Sequence, residues 1–273
     1  MEPITALTVA GSDSGGGAGI QADLRTFAAF NVHATSALTA VTAQNTTRVA
    51  AVTLIDPVMV VAQVDAVLED FTVSAVKTGM LGQPPTVEAV AQLAAAGRLP
   101  HLVVDPVLIS STGHELIGAG GRDAYRTMLI PHAQIVTPNL LEAAALCDVD
   151  VADVTTLDDM ADLARTILMW GPTFVLVKGG HFMAGAATES RSPDLLVSAE
   201  GVVLFDAPRV ATANDHGTGC SLSAAICAGL GLGRSVPDAV RDAKSFVLAA
   251  LTSAATWRLG HGHGPIDHLG WNE

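Results

Sequence analysis

Short apolar runs alternate with longer helical periods along most of this chain, and this alternation constrains its fold more than any other feature. The runs are rich in β-branched residues, and each one ends in polar or glycine-rich residues. They are ITALTVA (4–10), SAVKTG (74–79), HLVVDPV (101–107), AQIVTPN (133–139) and FVLVKGG (174–180). Strands that alternate with helices in this way predict a mostly parallel sheet with helices on both faces.

Apolar residues at helical spacing fill the intervals between these runs. The predicted helices cover 18–31, 57–71, 86–96, 140–147, 157–170, 217–231 and 236–255, with further extended segments near 33–42 and 49–55. One stretch, 195–207, breaks the alternation, because two short runs flank Glu200-Gly201 and predict a β-hairpin. The predicted fold class is thus a three-layer α/β/α arrangement with a mostly parallel central sheet and a small hairpin.

The composition is typical of a compact α/β protein. Of 273 residues, 49% are hydrophobic and 15% are charged, so there is enough apolar material for a buried core. The three cysteines, Cys147, Cys220 and Cys227, lack metal-type spacing and argue against a disulfide framework or structural zinc. No repeat or linker-like shift in composition divides the chain, so we expect a single domain over residues 1–273.

Charge and hydropathy narrow the classes of partner. The net charge is −13, with only 14 Lys and Arg, which argues against nucleic acid as a partner. The longest charge-free stretches, 26–47 and 216–233, contain too many Gly, Ser, Thr or Asn residues for a membrane-spanning helix. The first residues lack the basic stretch of a secretory signal, so we expect a soluble cytoplasmic protein.

The segment HGTGC (216–220) is the most informative one, because two glycines lead directly into an uncharged helix of small residues. Backbone N–H groups at the start of a helix have no internal partner, and glycine lets an anion approach them closely. The segment therefore predicts a phosphate-binding turn. The alternative is a plain helix start capped by Thr218 or Ser221.

A glycine-rich segment, GSDSGGGAG (11–19), follows the first predicted strand. It is not a Walker A loop, and it lacks the GxGxxG spacing of a dinucleotide-binding turn. Three consecutive glycines leave little side-chain bulk, so a flat ligand could lie against the backbone here. The alternative is a simple turn.

Several polar residues fall at or just after predicted strand ends. Lys178 is placed to neutralise a phosphate as a point charge, although a strand-end lysine in solvent is the simpler interpretation. Asp105 and Glu142 are candidates to hold Mg²⁺ directly or through water, whereas Glu142 alone also suits a solvated first turn of a helix. Gln44 and Asn45 offer paired donors and acceptors, as recognition of a heterocycle requires.

Taken together and in order, these segments resemble the ribokinase superfamily, and specifically its hydroxymethylpyrimidine/phosphomethylpyrimidine kinase branch. The similarity runs nearly from end to end. It covers AGSDSGGGAGIQAD (10–23), TAQNT (42–46), KTGML (77–81), DPV (105–107), TPNLLEA (137–143), LVKGGH (176–181) and HGTGCSLSAAI (216–226). The opening segment and HGTGC are highly specific to that branch, whereas the others are shared with related pyridoxal kinases.

The resemblance implies an ATP- and Mg²⁺-dependent kinase of thiamine biosynthesis that phosphorylates hydroxymethylpyrimidine and then its monophosphate. The substrate-binding residues that it implies are Gly11, Asp13, Ala18, Gln44, Met80 and Val107. The ATP-binding residues that it implies are Asn139, Lys178, Gly180 and Thr218, with Asp105 and Glu142 at the metal. The turn Gly217, Thr218, Gly219 and Cys220 would hold the transferred phosphoryl group together with Lys178. A homodimer is expected, since dimers are common in this family.

Three residues differ from the family pattern, and the tail has two possible interpretations. Asp215 stands where the family more often has Thr, which would put a negative charge near the phosphate path. Ser110 and His114 stand where relatives often carry a lysine and an acid. The tail GHGHGPIDHL (260–269) is either a metal site, by its histidine count, or a glycine-rich closing loop as in the family.

Cys220 occupies the position where ribokinase relatives carry a catalytic aspartate. A helix N-terminus lowers the pKa of a thiol, so we expect a thiolate that accepts the hydroxyl proton of the first acceptor. The monophosphate acceptor is already an anion, with a second pKa of about 6, and needs no base. The alternative is a small buried residue that only shapes the helix start.

Three other functions remain as alternatives. A pyridoxal kinase or a dual-specificity kinase would share this fold, although Gln44 in its TAQNT context favours the pyrimidine. A sugar kinase is disfavoured by the missing aspartate at position 220. A non-catalytic protein that binds the pyrimidine would be consistent with Asp215, Ser110 and His114.

Overall fold

The computed structural model describes residues 2–108, 117–180 and 190–271, which fold around a nine-stranded sheet. The strands are β1 (Thr5–Asp13), β2 (His33–Gln44), β3 (Val49–Leu54), β4 (Val73–Thr78), β5 (Val103–Val104), β6 (Ile135–Val136), β7 (Phe174–Lys178), β8 (Arg191–Ser198) and β9 (Gly201–Pro208). Their order across the sheet is β3-β2-β1-β4-β5-β6-β7-β8-β9. The stretch from β2 to β7 is parallel, whereas β3, β8 and β9 pair antiparallel with their neighbours.

Helices cover both faces of this sheet. They are α1 (Gly19–Ala29), α2 (Pro57–Asp70), α3 (Pro84–Ala95), α4 (Gly121–Ala124), α5 (Leu140–Leu146), α6 (Leu157–Leu168), α7 (Thr218–Gly231) and α8 (Val236–Ala254). Helices α2 to α6 pack on one face in a first hydrophobic core. Helices α1, α7 and α8 pack on the other face in a second core. The predicted three-layer architecture is confirmed.

Successive strand residues point to opposite faces, which explains why the central strands are apolar throughout. In β7, Val175 and Val177 belong to the first core, whereas Leu176 between them belongs to the second. The pair Val103 and Val104 of β5 divides in the same way. A strand covered by helices on both faces must bury every side chain, so it shows no polar alternation.

Local sequence signals explain where several helices begin. Asp56 caps α2 by accepting a hydrogen bond from the Val58 N–H, with Pro57 at the first helical position. Helix α5 begins with a capping box in which Asn139 and Glu142 each accept from the other's backbone N–H. This capping box matters for the site, because Asn139 is a candidate to bind ATP and Glu142 is a candidate to bind Mg²⁺.

The structure corrects three details of the predicted elements. Strand β1 continues to Asp13 because Ser12 and Asp13 still pair with β2, so the glycine-rich segment begins inside the strand. Leu157, an apolar residue that opens the predicted helix 157–170, lies exposed at the start of α6. The sequence also predicted no helix at 121–132, where α4 continues as a π-helical and a 3-10 turn.

The parallel strands bring their carboxyl ends to one edge of the sheet, where α/β folds bind ligands. The segments after β4, β5, β6 and β7 meet at this edge, as predicted. Helix α7 begins there as well, since Ser223 on its second turn donates to Asp105 after β5. Within the described ranges, no helix has the length and apolar content to cross a membrane.

Candidate active site

The turn before α7 presents two free backbone donors. Gly217 is the N-cap residue, with a φ of 85°, and no side chain caps the helix. The Thr218 N–H reaches back to the Asp215 carbonyl at 3.3 Å. In the described part of the chain, the N–H groups of Gly219 and Cys220 have no hydrogen-bond partner. Among the residues that the structure describes, neither Thr218 nor Ser221 caps these N–H groups. Unpaired N–H groups and the helix dipole suit an anion, and the predicted phosphate binding stays a prediction; we name residues 217–220 the anion-binding turn.

The Lys178 ammonium lies over this turn. A Cβ atom built on Gly219 would sit 3.2 Å from Lys178 Nζ, so the lysine reaches the same place as the free N–H groups. Nζ also pairs with Asp105 Oδ1 at 2.8 Å, and the lysine side chain is only 11% exposed. The interpretation of Lys178 as a solvated strand end is therefore wrong, because the side chain is turned into the site.

Asp105 and Glu142 flank the lysine, and both are buried. Ser223 donates to Asp105 Oδ2 at 3.1 Å, and Thr137 Oγ1 lies 3.4 Å from Asp105 Oδ1. Burial raises the pKa of Glu142 to about 7, with Lys178 opposing this shift and Asp105 adding to it. Glu142 does occupy the first turn of a helix, but it is buried there rather than solvated.

Cys220 differs from its predicted chemistry. Burial raises the pKa of its thiol to about 11, an effect that Lys77 opposes and that Asp23 and Asp105 strengthen. The expectation that the helix N-terminus lowers this pKa is therefore wrong. Desolvation of the thiolate outweighs the lowering effects of Lys77 and of the Gly19 N–H, and the thiol is protonated at neutral pH.

A buried ion pair beneath the site escaped the sequence analysis. Lys77 on β4 pairs with Asp23 on α1 at 2.8 Å, and both side chains are fully buried. Thr8 donates to the same carboxylate at 2.6 Å, and Lys77 Nζ lies beneath Gly79. The available sequence signal was a lysine, Lys77, within a predicted strand, but a charged residue in a strand is usually solvated.

The glycine-rich loop Gly11–Gly19 is organised by Asp13. Its Oδ1 accepts from the Gly15 N–H at 2.8 Å, and its Oδ2 accepts from the Gly17 and Ala18 N–H groups at 3.1 and 2.9 Å. His216 Nε2 lies 2.9 Å from the same Oδ2. The carboxylate is thus directed into its own loop, and its predicted contact with substrate stays a prediction.

The loop and the anion-binding turn pack backbone against backbone. A Cβ atom on Gly217 would overlap the Gly17 carbonyl oxygen, and one on Gly19 would overlap the Gly11 carbonyl oxygen. Gly19 also has a φ of 56°, which favours glycine. The two most specific motifs of the sequence, about two hundred residues apart, therefore form one structural unit.

Several predicted pyrimidine ligands lie around this unit. Gly11 lies against the Met80 side chain so closely that a Cβ atom would overlap Met80 Cε. The side-chain nitrogen of Gln44 lies 3.3 Å from His216 Nε2. Ala18 contributes its backbone through the loop, as described above. The structure thus brings Gly11, Met80, Ala18 and Gln44 together beside the anion-binding turn.

The remaining predicted residues are placed less directly. Asn139 forms a β-bridge with Lys178 next to the site, while its side chain accepts from the Glu142 N–H. Gly180 lies beside Ser192 of β8, and Val107 follows Asp105 after β5. Ser110 and His114 lie outside the described residues.

Residues 261–264 of the tail form hydrogen bonds with Thr46 and His216, next to the site. Thr46 Oγ1 accepts from the His261 and Gly262 N–H groups at 3.1 and 3.2 Å, and the His216 N–H donates to the Gly264 carbonyl at 3.0 Å. His263 Nδ1 lies 2.7 Å from Asp215 Oδ1, so the unusual aspartate has a partner in the tail. Within the described residues, no cluster of three His, Cys, Asp or Glu side chains could hold a metal ion.

Comparisons with known proteins agree with this geometry. The family model described as phosphomethylpyrimidine kinase matches residues 13–267. A hydroxymethylpyrimidine/phosphomethylpyrimidine kinase of Streptomyces coelicolor is 47% identical over 271 residues, which cover 99% of this chain and 96% of that protein.

Solved structures show the same fold. The phosphomethylpyrimidine kinase of Clostridium difficile 630 is 37% identical, with a TM-score of 0.78 over 90% of this chain and 99% of that one. The pyridoxal kinase of Bacillus subtilis, solved as an ADP complex, is 34% identical, with a TM-score of 0.87 over 98% of both chains. The fold alone does not separate the two activities, whereas the family model and the curated relative from Streptomyces coelicolor both carry the name of a phosphomethylpyrimidine kinase. The chain therefore belongs to the phosphomethylpyrimidine kinase family.

Proposed function

We propose that this kinase transfers the γ-phosphoryl group of ATP to the hydroxymethyl oxygen of 4-amino-5-hydroxymethyl-2-methylpyrimidine, and then phosphorylates the monophosphate to the diphosphate. One observation carries the proposal: the free N–H groups of Gly219 and Cys220 and the Lys178 ammonium converge beside the loop Gly11–Gly19. Such a turn suits a phosphoryl group in transfer, and the adjacent glycine loop suits a flat acceptor. The names of the curated relatives support the pyrimidine as that acceptor.

The reaction needs positioning more than strong chemistry. The acceptor oxygen attacks the γ-phosphorus, the bond from phosphorus to the β,γ-bridging oxygen breaks, and ADP leaves. Because the transition state of phosphoryl transfer is loose, its charge spreads over the three equatorial oxygens. The N–H groups of Gly219 and Cys220 and the ammonium of Lys178 stabilise that charge, and they are preorganised by α7 and β7.

The donor set at Asp105 and Glu142 fits Mg²⁺. Mg²⁺ takes oxygen ligands, and one or two carboxylates with water and substrate phosphates suffice for it. Both carboxylates are buried, and burial together with the nearby Asp105 charge raises the pKa of Glu142, so a divalent cation nearby would be favourable. When bound, Mg²⁺ would neutralise phosphate charge there. Dialysis against a chelator should abolish turnover, and Mg²⁺ should restore it; full activity without divalent metal would contradict this assignment.

We propose that the thiolate form of Cys220 accepts the hydroxyl proton of the alcohol as its oxygen bonds to the γ-phosphorus, in the first phosphorylation only. Cys220→Ala is expected to lower kcat for the alcohol roughly 10²-fold, at the low end of general-base contributions. The change should leave turnover of the monophosphate within about threefold, because that acceptor is already an anion. Since the pKa of the thiol is raised to about 11, the rate with the alcohol should increase from pH 7 to pH 9 in the wild type.

Two comparisons isolate this role of the thiol. In Cys220→Ala, the rise in rate with pH should disappear for the alcohol. Cys220→Ser keeps the size of the side chain but not its acidity, so it should behave like the alanine variant. Equal losses for both acceptors would show that the thiol only shapes the turn, and near-normal rates for both would remove it from the mechanism.

The substrate is tested by measuring ADP release with three acceptors. We expect turnover with the pyrimidine alcohol and with its monophosphate, and at least tenfold lower kcat/KM with pyridoxal. A preference for pyridoxal would assign the chain to that activity instead. Binding of the pyrimidine and of ATP without ADP release would show a non-catalytic protein.

We further propose a single-domain cytoplasmic homodimer. Strands β2 and β3 form one edge of the sheet, where Val41, Val52 and Leu54 are each more than 40% exposed. Exposed apolar side chains on an edge of a sheet favour burial against a second copy. Sedimentation equilibrium should give twice the chain mass for the wild type and the chain mass for Val52→Lys. A monomeric wild type would contradict the proposal.

A further inference from the structure

His216 connects the two halves of the site. It precedes the anion-binding turn, yet its Nε2 lies 2.9 Å from Asp13 Oδ2 in the glycine-rich loop. Both side chains are largely buried, at 14% and 4% exposure. A contact this well shielded is stronger than one at the surface, because water screens it little.

The other hydrogen bonds of Asp13 determine which side chain carries the proton in its contact with His216. The carboxylate already accepts from the N–H groups of Gly15, Gly17 and Ala18. Burial raises the pKa of Asp13, but the hydrogen bonds from His216 and from these N–H groups outweigh burial and lower it, so the group is ionised. An ionised carboxylate only accepts, and His216 Nε2 must therefore carry the proton that it donates.

The side-chain nitrogen of the predicted pyrimidine ligand Gln44 lies 3.3 Å from the same ring nitrogen. With Nε2 protonated both atoms are donors, so this is a packing contact and not a hydrogen bond. The ring packs on Gly17, where a Cβ atom would lie 2.5 Å from His216 Cδ2. His216 thus contacts the loop, Gln44 and, through the chain, Gly217.

We propose that His216 is a positioning residue whose Nε2–H, donated to Asp13, holds the pyrimidine-binding loop in line with the anion-binding turn. Under the proposed function, the loop binds the acceptor and the turn binds the γ-phosphoryl group of ATP. The distance from the acceptor oxygen to the γ-phosphorus therefore depends on this hydrogen bond. An error of about 1 Å in such a distance can cost roughly 10²-fold in rate. The inference deepens the proposed function and rests on it for its assay.

Three substitutions at this position separate the hydrogen bond from the ring. Glutamine places its Nε2 close to the position of histidine Nε2, whereas asparagine is too short to reach Asp13. We expect His216→Gln to retain kcat/KM for the pyrimidine within about fivefold. His216→Asn and His216→Ala should lose roughly 10- to 100-fold, the range of a charge-assisted hydrogen bond. The loss should fall on kcat and on the KM of the pyrimidine, while the KM of ATP changes less than threefold.

Asp13→Asn and the double variant complete the test. Asp13→Asn also disturbs the N–H groups that Asp13 accepts from, so the coupling is read from the double variant. If the two side chains act through one contact, the double variant should lose less than the two single losses combined. His33→Ala, at the exposed far end of β2, is the matched control and should leave all constants unchanged. Melting temperatures are measured for every variant, because a purely structural role would lower them without separating glutamine from asparagine.

The possible outcomes are distinct. Equal losses in His216→Gln and His216→Asn, or additive losses in the double variant, would overturn the proposal. A wild-type enzyme that prefers pyridoxal would overturn the substrate assignment but not the coupling of His216 to Asp13. The variants would then be compared by their kcat/KM with pyridoxal. If the wild type turns over neither, calorimetric titration of the pyrimidine into the same variants decides, and an unchanged affinity in His216→Asn would overturn the coupling.

Discussion

Lys178→Met is expected to lower kcat roughly 10³- to 10⁵-fold, the range observed when a phosphoryl-transfer enzyme loses a cation from its transition state. Lys178 Nζ lies over Gly219 at the anion-binding turn and pairs with Asp105 at 2.8 Å. Burial by itself lowers the pKa of Lys178, but Asp105 and Glu142 outweigh it and raise that pKa, so the ammonium is charged at neutral pH. Steady-state ADP release with the pyrimidine alcohol measures the loss.

Methionine also leaves Asp105 without its cation. Breaking a buried ion pair by removing one partner costs about 3–5 kcal/mol of unfolding free energy, so thermal unfolding must be measured alongside activity. Lys178→Arg is the matched control, since it keeps the charge and the pair while changing the shape of the donor. It should fold like the wild type and retain more activity than Lys178→Met. A methionine variant that is folded and within tenfold of wild-type kcat would show that Lys178 does not act on the phosphoryl group.

Gly217→Ala is expected to lower kcat roughly 10³-fold, because it separates the turn from the loop that it packs on. A Cβ atom at Gly217 would overlap the Gly17 carbonyl oxygen, and the φ of 85° is unfavourable for alanine. Removing one preorganised donor from an oxyanion site costs about 10²–10³-fold in other enzymes, and this change displaces two N–H groups at once. Kinetics with both acceptors and the melting temperature of the variant are the measurements.

Gly233→Ala separates the two causes. Gly233 has nearly the same backbone conformation, with a φ of 81°, but nothing lies within 4 Å of a Cβ atom built there. The control should therefore lose about 1–2 kcal/mol of unfolding free energy and no activity. If Gly217→Ala is as active as Gly233→Ala, close packing of the two motifs is not required for catalysis.

Much of the architecture was predictable from the sequence, because periodicity and turn chemistry are local properties. The apolar runs at β4, β6 and β7 and the hairpin at Glu200-Gly201 were found near their observed positions. The short helical segment at 121–132 was missed, since its first helix has only four residues and no apolar period can be read over that length.

Local sequence also determined the residue types of the site. Glycines before α7, a lysine at the end of β7 and acids after β5 and β6 predicted phosphate chemistry without any coordinates. What sequence could not supply was the state of each group, since burial and neighbours set a pKa. The thiol of Cys220 shows this, because its raised pKa follows from desolvation and not from its place on the helix.

Tertiary structure alone decided which distant residues meet. The packing of Gly17 on Gly217, the hydrogen bond between Asp13 and His216, and the pairing of Asp215 with His263 join segments far apart in the chain. The spacing of such segments in the sequence does not determine the distance between them. The order of the strands and the packing of α7 against β1, β4 and β5 determine it. The sequence by itself thus determined the fold class and the residue types available to the site. The packing of helices on the sheet decided which of these residues lie together.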